Sequence, residues 1–340
     1  MPITIDCRLL CATTCAYDIL ADGTFTPRAP HYPAVGWTDP PAVYVAPRAP
    51  INACLLGMTC TYPAGGSADA IILAFRGTLP PTNLNIPPQV RDWLQDFHAK
   101  PVATPTVFPA GVMVHEGFWN ALDSLWPQIV PVLRALRATN PQAGLYVTGH
   151  SKGGAMAALA AARLFFQEAV SATGVYIYGA ARAGNSVFVS TFPPGIPVVR
   201  YEHYLDVVPF LPPNLRRRSV LAGFTLLHEI FANVARWDYT PLGTLRYIRQ
   251  DGTVVGDSAG LSVQREKEIV AEALAGGTAD IARAHGPWCK RALSDGGYML
   301  GVCNQPGYLL NQGLSRLKVG SPQEPDALSR LSRIREQIAP

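Results

Sequence analysis

The segment Leu145-Tyr146-Val147-Thr148-Gly149-His150-Ser151-Lys152-Gly153-Gly154 decides the fold, because it joins a strand to a helix through one sharp turn. Residues 145–148 predict a buried strand, and the alanine-rich run 155–164 predicts a helix. A chain that reverses so abruptly holds Ser151 in a strained backbone conformation, and Gly149 and Gly153 leave room where side chains would collide with the strand and the helix. The serine oxygen then projects above the sheet at a helix amino end, where negative charge is favoured. The segment therefore predicts Ser151 as a nucleophile.

Working outward from this turn, strand and helix patterns alternate along the chain. Strands are predicted at 52–62, 70–76, 112–115, 144–149, 174–178 and 197–201, and helices at 4–20, 116–136, 155–166 and 186–190. A late hairpin is predicted at 245–255, with its turn at Asp251-Gly252. This order predicts an α/β fold with a mostly parallel central sheet and helices on both faces. Residues 23–50 predict an irregular surface segment, and the absence of repeats and linkers predicts a single domain over 1–340.

Composition and charge narrow the class of protein. The 340 residues are 48% apolar and 15% charged, which predicts a globular chain with a large core. The net charge is +4, and the one tight basic run, Arg216-Arg217-Arg218, is too short for a nucleic-acid footprint, so no nucleic-acid partner is expected. Asp6, Arg8 and Asp18 interrupt the first 20 residues. We therefore expect neither a signal peptide nor a transmembrane segment there, and a protein that is cytoplasmic or secreted by means of a leader absent from this sequence.

The seven cysteines form a helical stripe and two close pairs. Three of them recur every four residues and should share one buried face of the first helix: Cys7, Cys11 and Cys15. Two pairs are near enough in sequence to form disulfides, although the sequence leaves the pairing open: Cys54 with Cys60, and Cys289 with Cys303. No Cys-x-x-Cys or Cys/His ligand spacing is present, so we expect no structural metal and no cofactor.

A second feature concerns the stabilisation of an oxyanion. The apolar strand 71–75 ends in Arg76-Gly77-Thr78. A serine nucleophile that attacks an acyl group needs two hydrogen-bond donors aimed at the developing negative charge. The backbone N–H of Lys152 supplies one, and Thr78, with an N–H and a hydroxyl, is predicted to supply the other. The alternative for Thr78 is an ordinary capping or turn threonine.

Six short motifs lie in a fixed order between residues 70 and 213. They are Phe75-Arg76-Gly77-Thr78, Asp92-Trp93-Leu94-Gln95-Asp96, Val114-His115-Glu116-Gly117-Phe118, Gly149–Gly154, Tyr178-Gly179 with Arg182-Ala183-Gly184-Asn185, and Asp206–Pro213. Together they resemble the fungal-type, or class 3, lipases. The resemblance implies an α/β-hydrolase fold, supporting roles for Gly77 and His150, and a lid over the active site at 79–96. Lys152 departs from the leucine usual in that family and places a cation beside the oxyanion site.

The remaining members of a Ser-Asp-His triad follow from chain order and from the resemblance. The family's acid falls on Asp206, just after the strand at 197–201, with Asp238 as the second choice. Two histidines follow the acid. His228 lies in an apolar helical run typical of a packed residue, whereas His285 lies in an Ala-His-Gly-Pro-Trp loop that could reach back over the sheet. We therefore predict His285 as the general base.

The resemblance implies a carboxylic-ester hydrolase, and specifically a triacylglycerol lipase that meets its acyl-ester substrate at a lipid–water interface. Phospholipase A1 and feruloyl or short-chain esterase activities remain alternatives on the same fold. A third interpretation is an inactive hydrolase scaffold that binds lipid. It would require a missing triad member or a bulky residue in place of Gly77 or Gly153, and the sequence has neither.

Overall fold

The computed structural model describes residues 3–47, 49–60, 69–78, 100–104, 106–212, 238–287 and 296–304. The helices are α1 (Ile5–Ala16), α2 (His31–Val35), α3 (Glu116–Thr139), α4 (Lys152–Glu168), α5 (Ser186–Ser190), α6 (Leu261–Leu274), α7 (Thr278–Ala284) and α8 (Gly297–Val302). The strands are β1 (Ala42–Ala46), β2 (Ala49–Thr59), β3 (Ala70–Phe75), β4 (Pro101–Ala103), β5 (Met113–His115), β6 (Gly144–His150), β7 (Gly174–Tyr178), β8 (Gly184–Asn185), β9 (Val198–His203), β10 (Tyr239–Thr240), β11 (Thr244–Ile248) and β12 (Val254–Gly256).

An eight-stranded sheet in the order β1-β2-β3-β6-β7-β9-β11-β12 organises the molecule. Its five middle strands, β3 to β11, are parallel, and the outer pairings are antiparallel. Side chains of β3 alternate between two cores: residues 71, 73 and 75 pack with α3 and α4, and residues 72 and 74 pack with α1. The predicted α/β fold with helices on both faces is therefore confirmed. Four short antiparallel strands form a second sheet in the order β10-β8-β5-β4.

Residues 23–50 differ from the prediction of an irregular segment. They contain α2 and β1, and β1 pairs antiparallel with β2 from Ala42 opposite Leu56 to Val45 opposite Ala53. Pairing with a neighbouring strand overrides the Pro- and Gly-rich local composition, which is why the composition alone misleads. The predicted lid at 79–96, the basic run 216–218 and His228 lie outside the described residues.

The disulfide in the structure joins neither of the two cysteine pairs that are close in sequence. Cys7 in α1 forms a disulfide with Cys303 at the end of α8, with Cα atoms 4.8 Å apart. The possible pairing of Cys303 with Cys289 is therefore wrong, and so is that of Cys54 with Cys60, which are both buried thiols. The true partners are separated by 296 positions, so spacing could not indicate them. The buried cysteine face predicted for α1 is confirmed. None of the helices within the described ranges has both the length and the apolar character needed to span a membrane.

Replacing Cys303 with alanine is expected to lower the free energy of unfolding by about 4 kcal/mol, because a cross-link over so long a stretch strongly restricts the unfolded chain. Urea denaturation without reductant measures the change. The double variant Cys7→Ala/Cys303→Ala is the control, and it should lose little more because the cross-link is already absent. A wild-type protein that keeps its full stability after the disulfide is reduced would contradict the prediction.

Candidate active site

The turn at Ser151 has the strained geometry that its glycines predict. Ser151 has φ 60° and ψ −129°, lies between β6 and α4, and donates its backbone N–H to the carbonyl of Tyr178 at 2.9 Å. A side chain at Gly149 would overlap the backbone of Gly153, and one at Gly153 would overlap the carbonyl of Phe75. Both positions therefore admit only glycine. Ser151 is almost fully buried by the turn and its surroundings.

The loop after β3 lies directly against this turn. Parallel pairing of β3 with β6 places Phe75 opposite Gly149, so the carboxyl ends of both strands meet. A Cβ atom on Gly77 would lie 3.0 Å from Cβ of Ser151, so no side chain could separate the loop from Ser151. Thr78 follows as a partly exposed residue. The structure thus brings the two predicted oxyanion residues, Thr78 and Lys152, to the surroundings of Ser151.

Asp206 and His285 are brought together from positions 79 residues apart. Asp206 is fully buried after β9, and its two carboxylate oxygens lie 3.0 and 2.9 Å from Nδ1 of His285. Val208 donates its N–H to Oδ1 at 2.9 Å, and the Tyr298 hydroxyl donates to Oδ2. Burial alone would raise the pKa of Asp206, but His285, Tyr298 and Val208 together hold that pKa below its ordinary value. The carboxylate is therefore ionised and accepts the Nδ1–H of His285, which leaves Nε2 as the ring nitrogen available for proton transfer.

Asp238, the second choice for the acid, has a different environment. It is exposed at the edge of the small sheet, where its Oδ2 accepts the N–H of Ser186 at 3.3 Å. That contact is a hydrogen bond to the backbone at the start of α5 rather than to a histidine. The structure thus places Asp206, and not Asp238, beside His285.

His150 connects the nucleophile turn to His285. Its Nε2 is 2.6 Å from the backbone carbonyl of His285, and since a carbonyl only accepts, Nε2 carries the proton. Its Nδ1 therefore accepts the hydroxyl of Tyr17 at 2.8 Å. Burial, and secondarily repulsion from His285 in its protonated form, lowers the pKa of His150 to about 3, so the ring of His150 is neutral at pH 7. His150 thus fixes the backbone of His285 against the residue that precedes Ser151.

Three side chains around the site are not predicted by the sequence. Tyr17 follows α1, Tyr298 lies in α8, and Asn52 lies in β2, where it accepts a hydrogen bond from Nζ of Lys152 at 2.8 Å. Each belongs to an element remote in sequence from the nucleophile turn. No local pattern marks a phenol or an amide of this kind, so only the tertiary fold reveals these contacts.

Replacing Tyr17 with phenylalanine is expected to lower the free energy of unfolding by about 2 kcal/mol, because Nδ1 of His150 would stay buried without its donor. We also expect kcat to fall about tenfold, since His285 would be positioned less firmly. Thermal unfolding and ester turnover measure the two effects. Tyr32→Phe is the control, because Tyr32 is only partly buried and packs against Phe25. Equal behaviour of the two variants would contradict the role assigned to Tyr17.

The central part of the chain is similar to a known family of proteins. Residues 72–216 match the family described as lipase (class 3). This region of the chain therefore resembles the class 3 lipases. A lipase from Rhizomucor miehei is 33% identical over 171 residues, which are 48% of this chain and 41% of that protein. The secreted mono- and diacylglycerol lipase A of Penicillium cyclopium is 34% identical over 144 residues, 42% of this chain and 43% of that protein. The match thus spans about two fifths of the length of each relative.

Solved structures show the same architecture. A triacylglycerol lipase whose catalytic centre is a serine protease triad aligns with a TM-score of 0.54 and 21% identity, over 78% of this chain and 91% of that one. The native propeptide complex of Rhizomucor miehei lipase aligns with a TM-score of 0.50 and 21% identity, over 75% and 73% of the two chains. These likenesses confirm the α/β-hydrolase fold.

The region that resembles the class 3 lipases does not contain every residue of the site. Ser151, Asp206, Thr78 and Lys152 lie within the matched residues 72–216, whereas His285 lies beyond them. Its assignment therefore depends on the contacts with Asp206 and His150 rather than on the family match.

Proposed function

We propose that this protein is a lipase that hydrolyses carboxylic esters of acylglycerols, with Ser151, His285 and Asp206 as its catalytic triad. The observation that carries the proposal is the contact of the buried Asp206 with His285, whose backbone is also held by His150, the residue that precedes the strained serine. A nucleophile, a base and an ionised group that orients the base are the three parts that acyl transfer requires.

The reaction follows from these positions. Nε2 of His285 takes the proton of the Ser151 hydroxyl as its oxygen attacks the acyl carbonyl, and Asp206 stabilises the imidazolium that forms. The backbone N–H groups of Lys152 and Thr78 hold the oxyanion of the tetrahedral intermediate. The intermediate collapses, and the alcohol leaves with the proton from His285. Water, deprotonated by the same histidine, then hydrolyses the acyl-enzyme and restores Ser151.

The substrate class is supported by the relatives. The proteins to which this chain is similar are named as a lipase and as a mono- and diacylglycerol lipase, and a structural neighbour is a triacylglycerol lipase. Acylglycerols present their ester bonds at a lipid–water interface. We therefore propose an acyl-ester lipid at such an interface as the partner of the site.

The decisive experiment compares wild type with Ser151→Ala on a p-nitrophenyl ester chain-length series, a triolein emulsion and phosphatidylcholine vesicles. We expect the wild type to hydrolyse triolein and long-chain esters, and Ser151→Ala to lose this activity by about 10⁵-fold or more. Release of the sn-1 acyl chain from phosphatidylcholine without triolein hydrolysis would make the enzyme a phospholipase A1. Activity confined to short soluble esters would make it an esterase, and an inactive wild type would refute the proposal.

A further inference from the structure

The side chain of Lys152 is buried beside the nucleophile instead of extending into solvent. It is 9% exposed, and its ammonium group donates to Oδ1 of Asn52 at 2.8 Å. Asn52 is itself 6% exposed. A buried lysine is costly unless a charged or polar partner compensates, and a neutral amide compensates only in part. The ammonium is therefore a concentrated positive charge in a site with little water to screen it.

The position of Asn52 locates this charge. In the antiparallel pair of β2 and β3, Cys54 lies opposite Phe75, and the N–H of Arg76 donates to the carbonyl of Ala53 at 2.9 Å. Continuing this register by one residue places Asn52 level with Gly77. Gly77 lies against Ser151 and precedes Thr78. The ammonium is therefore held next to the loop that borders the proposed oxyanion position.

The groups around the ammonium leave its charge uncompensated. Arg76, at the end of β3, adds a second positive charge that interacts with it. Tyr17, which follows α1, and His150, in β6, are neutral, because burial raises the pKa of Tyr17 and lowers the pKa of His150. Within the described ranges, no carboxylate lies within salt-bridge distance of Nζ. Lys152 also begins α4, whose amino end contributes a further partial positive charge.

We propose that Lys152, whose ammonium group is held by Asn52, stabilises the anionic tetrahedral intermediate on Ser151 through the electric field of its positive charge. The inference rests on the proposed ester hydrolysis. It adds to the two backbone donors a charge that a leucine at this position would lack. This coupling is reciprocal. The positive charge stabilises the oxyanion, and the oxyanion stabilises the protonated amine by the same free energy.

The rate of hydrolysis should depend on the protonation state of Lys152. Burial, and secondarily the charge of Arg76, lowers the pKa of Lys152 from 10.5 to about 8. The amine therefore loses its proton in a range where an ordinary lysine stays charged. We expect kcat to step down about tenfold as pH rises through about 8, since one pKa unit of coupling corresponds to a factor of ten.

The first test observes the lysine directly. The chain has five lysines, so protein labelled with ¹³C at lysine Cε gives few signals, and the one missing in Lys152→Met identifies Lys152. An alkylboronic acid adds to the Ser151 oxygen as a tetrahedral anion, with the released proton passing to His285. We expect the pKa of Lys152 to rise by about one unit in this adduct. Ser151→Ala, which forms no such adduct, is the control and should show no rise.

The outcomes of this titration distinguish a failure of the proposed function from a failure of the inference alone. If ¹¹B spectra show no tetrahedral adduct, Ser151 is not a reactive nucleophile, and both the proposed function and the inference fail. If the adduct forms and the pKa of Lys152 stays unchanged, only the inference fails. A rise in the wild type that is absent in Ser151→Ala supports it.

The second test uses kcat against pH with a soluble p-nitrophenyl ester. We expect Lys152→Met and Lys152→Leu to lie about tenfold below wild type at pH 7, to show no step near pH 8, and to meet the wild type above pH 9. Asn52→Asp adds a carboxylate and should move the step to higher pH, whereas Asn52→Leu removes the acceptor and should move it lower. A merely structural contact would not give shifts of opposite sign. A step that persists unchanged in Lys152→Met would overturn the inference.

Discussion

Replacing His285 with alanine is expected to lower kcat for ester hydrolysis by about 10⁶-fold. Without its imidazole, nothing accepts the proton of Ser151, and the leaving alcohol receives none. The binding of substrate does not use this ring, so KM should change little by comparison. The measurement is kcat on a saturating soluble ester, with added imidazole as a test of partial rescue.

His228→Ala is the matched control, since His228 is the other histidine that follows Asp206 in the chain. It should retain activity within about threefold of wild type. A large loss in His228→Ala together with survival of His285→Ala would move the base to His228. That outcome would also leave the contact between His285 and Asp206 without a catalytic purpose.

Asp206→Asn is expected to reduce kcat by about 10⁴-fold while the protein stays folded. The asparagine amide would offer a hydrogen atom where the carboxylate accepts one, so the ring of His285 would adopt the wrong tautomer. The imidazolium would also lose its compensating charge. Asp238→Asn, which alters an exposed carboxylate at the small sheet, is the control and should remain within about twofold of wild type. Comparable losses in both variants would refute the assignment.

The carboxylate of Asp206 should also make the free energy of unfolding depend on pH. Its pKa in the folded protein lies below its ordinary value. A depressed carboxyl pKa stabilises the fold above the unfolded pKa, near 4, and this contribution is lost as pH falls through the folded value. The difference in unfolding free energy between wild type and Asp206→Asn should therefore shrink as the solution is acidified below about pH 4.

The parts of the site that could be predicted are those fixed by local sterics or by chain order. Gly149 and Gly153 indicate the turn because only glycine fits between the adjoining strand and helix. Asp206 follows from the resemblance to the class 3 lipases, and His285 from the order of the triad and from a loop that could reach back over the sheet. The structure places both residues in contact, and their catalytic roles remain predictions that the variants above test.

The parts that could not be predicted depend on contacts between remote segments. Tyr17 and Tyr298 supply hydroxyl groups from opposite ends of the described chain. The pairing of Lys152 with Asn52 depends on the register of β2 beside β3, which no motif encodes. Strand β1 could not be predicted for the same reason, because its stability comes from pairing with β2 rather than from its own composition.

The hydrogen bond between His150 and the His285 backbone also determines when activity can arise during synthesis. Its two residues are 135 positions apart. At about 5–20 residues per second, a ribosome needs roughly 7 to 27 s to pass from one to the other. Throughout that interval the serine turn has already been made, but its base has not. A nascent chain in this interval should therefore lack the proposed ester-hydrolase activity, which we expect only after the segment that carries His285 has docked.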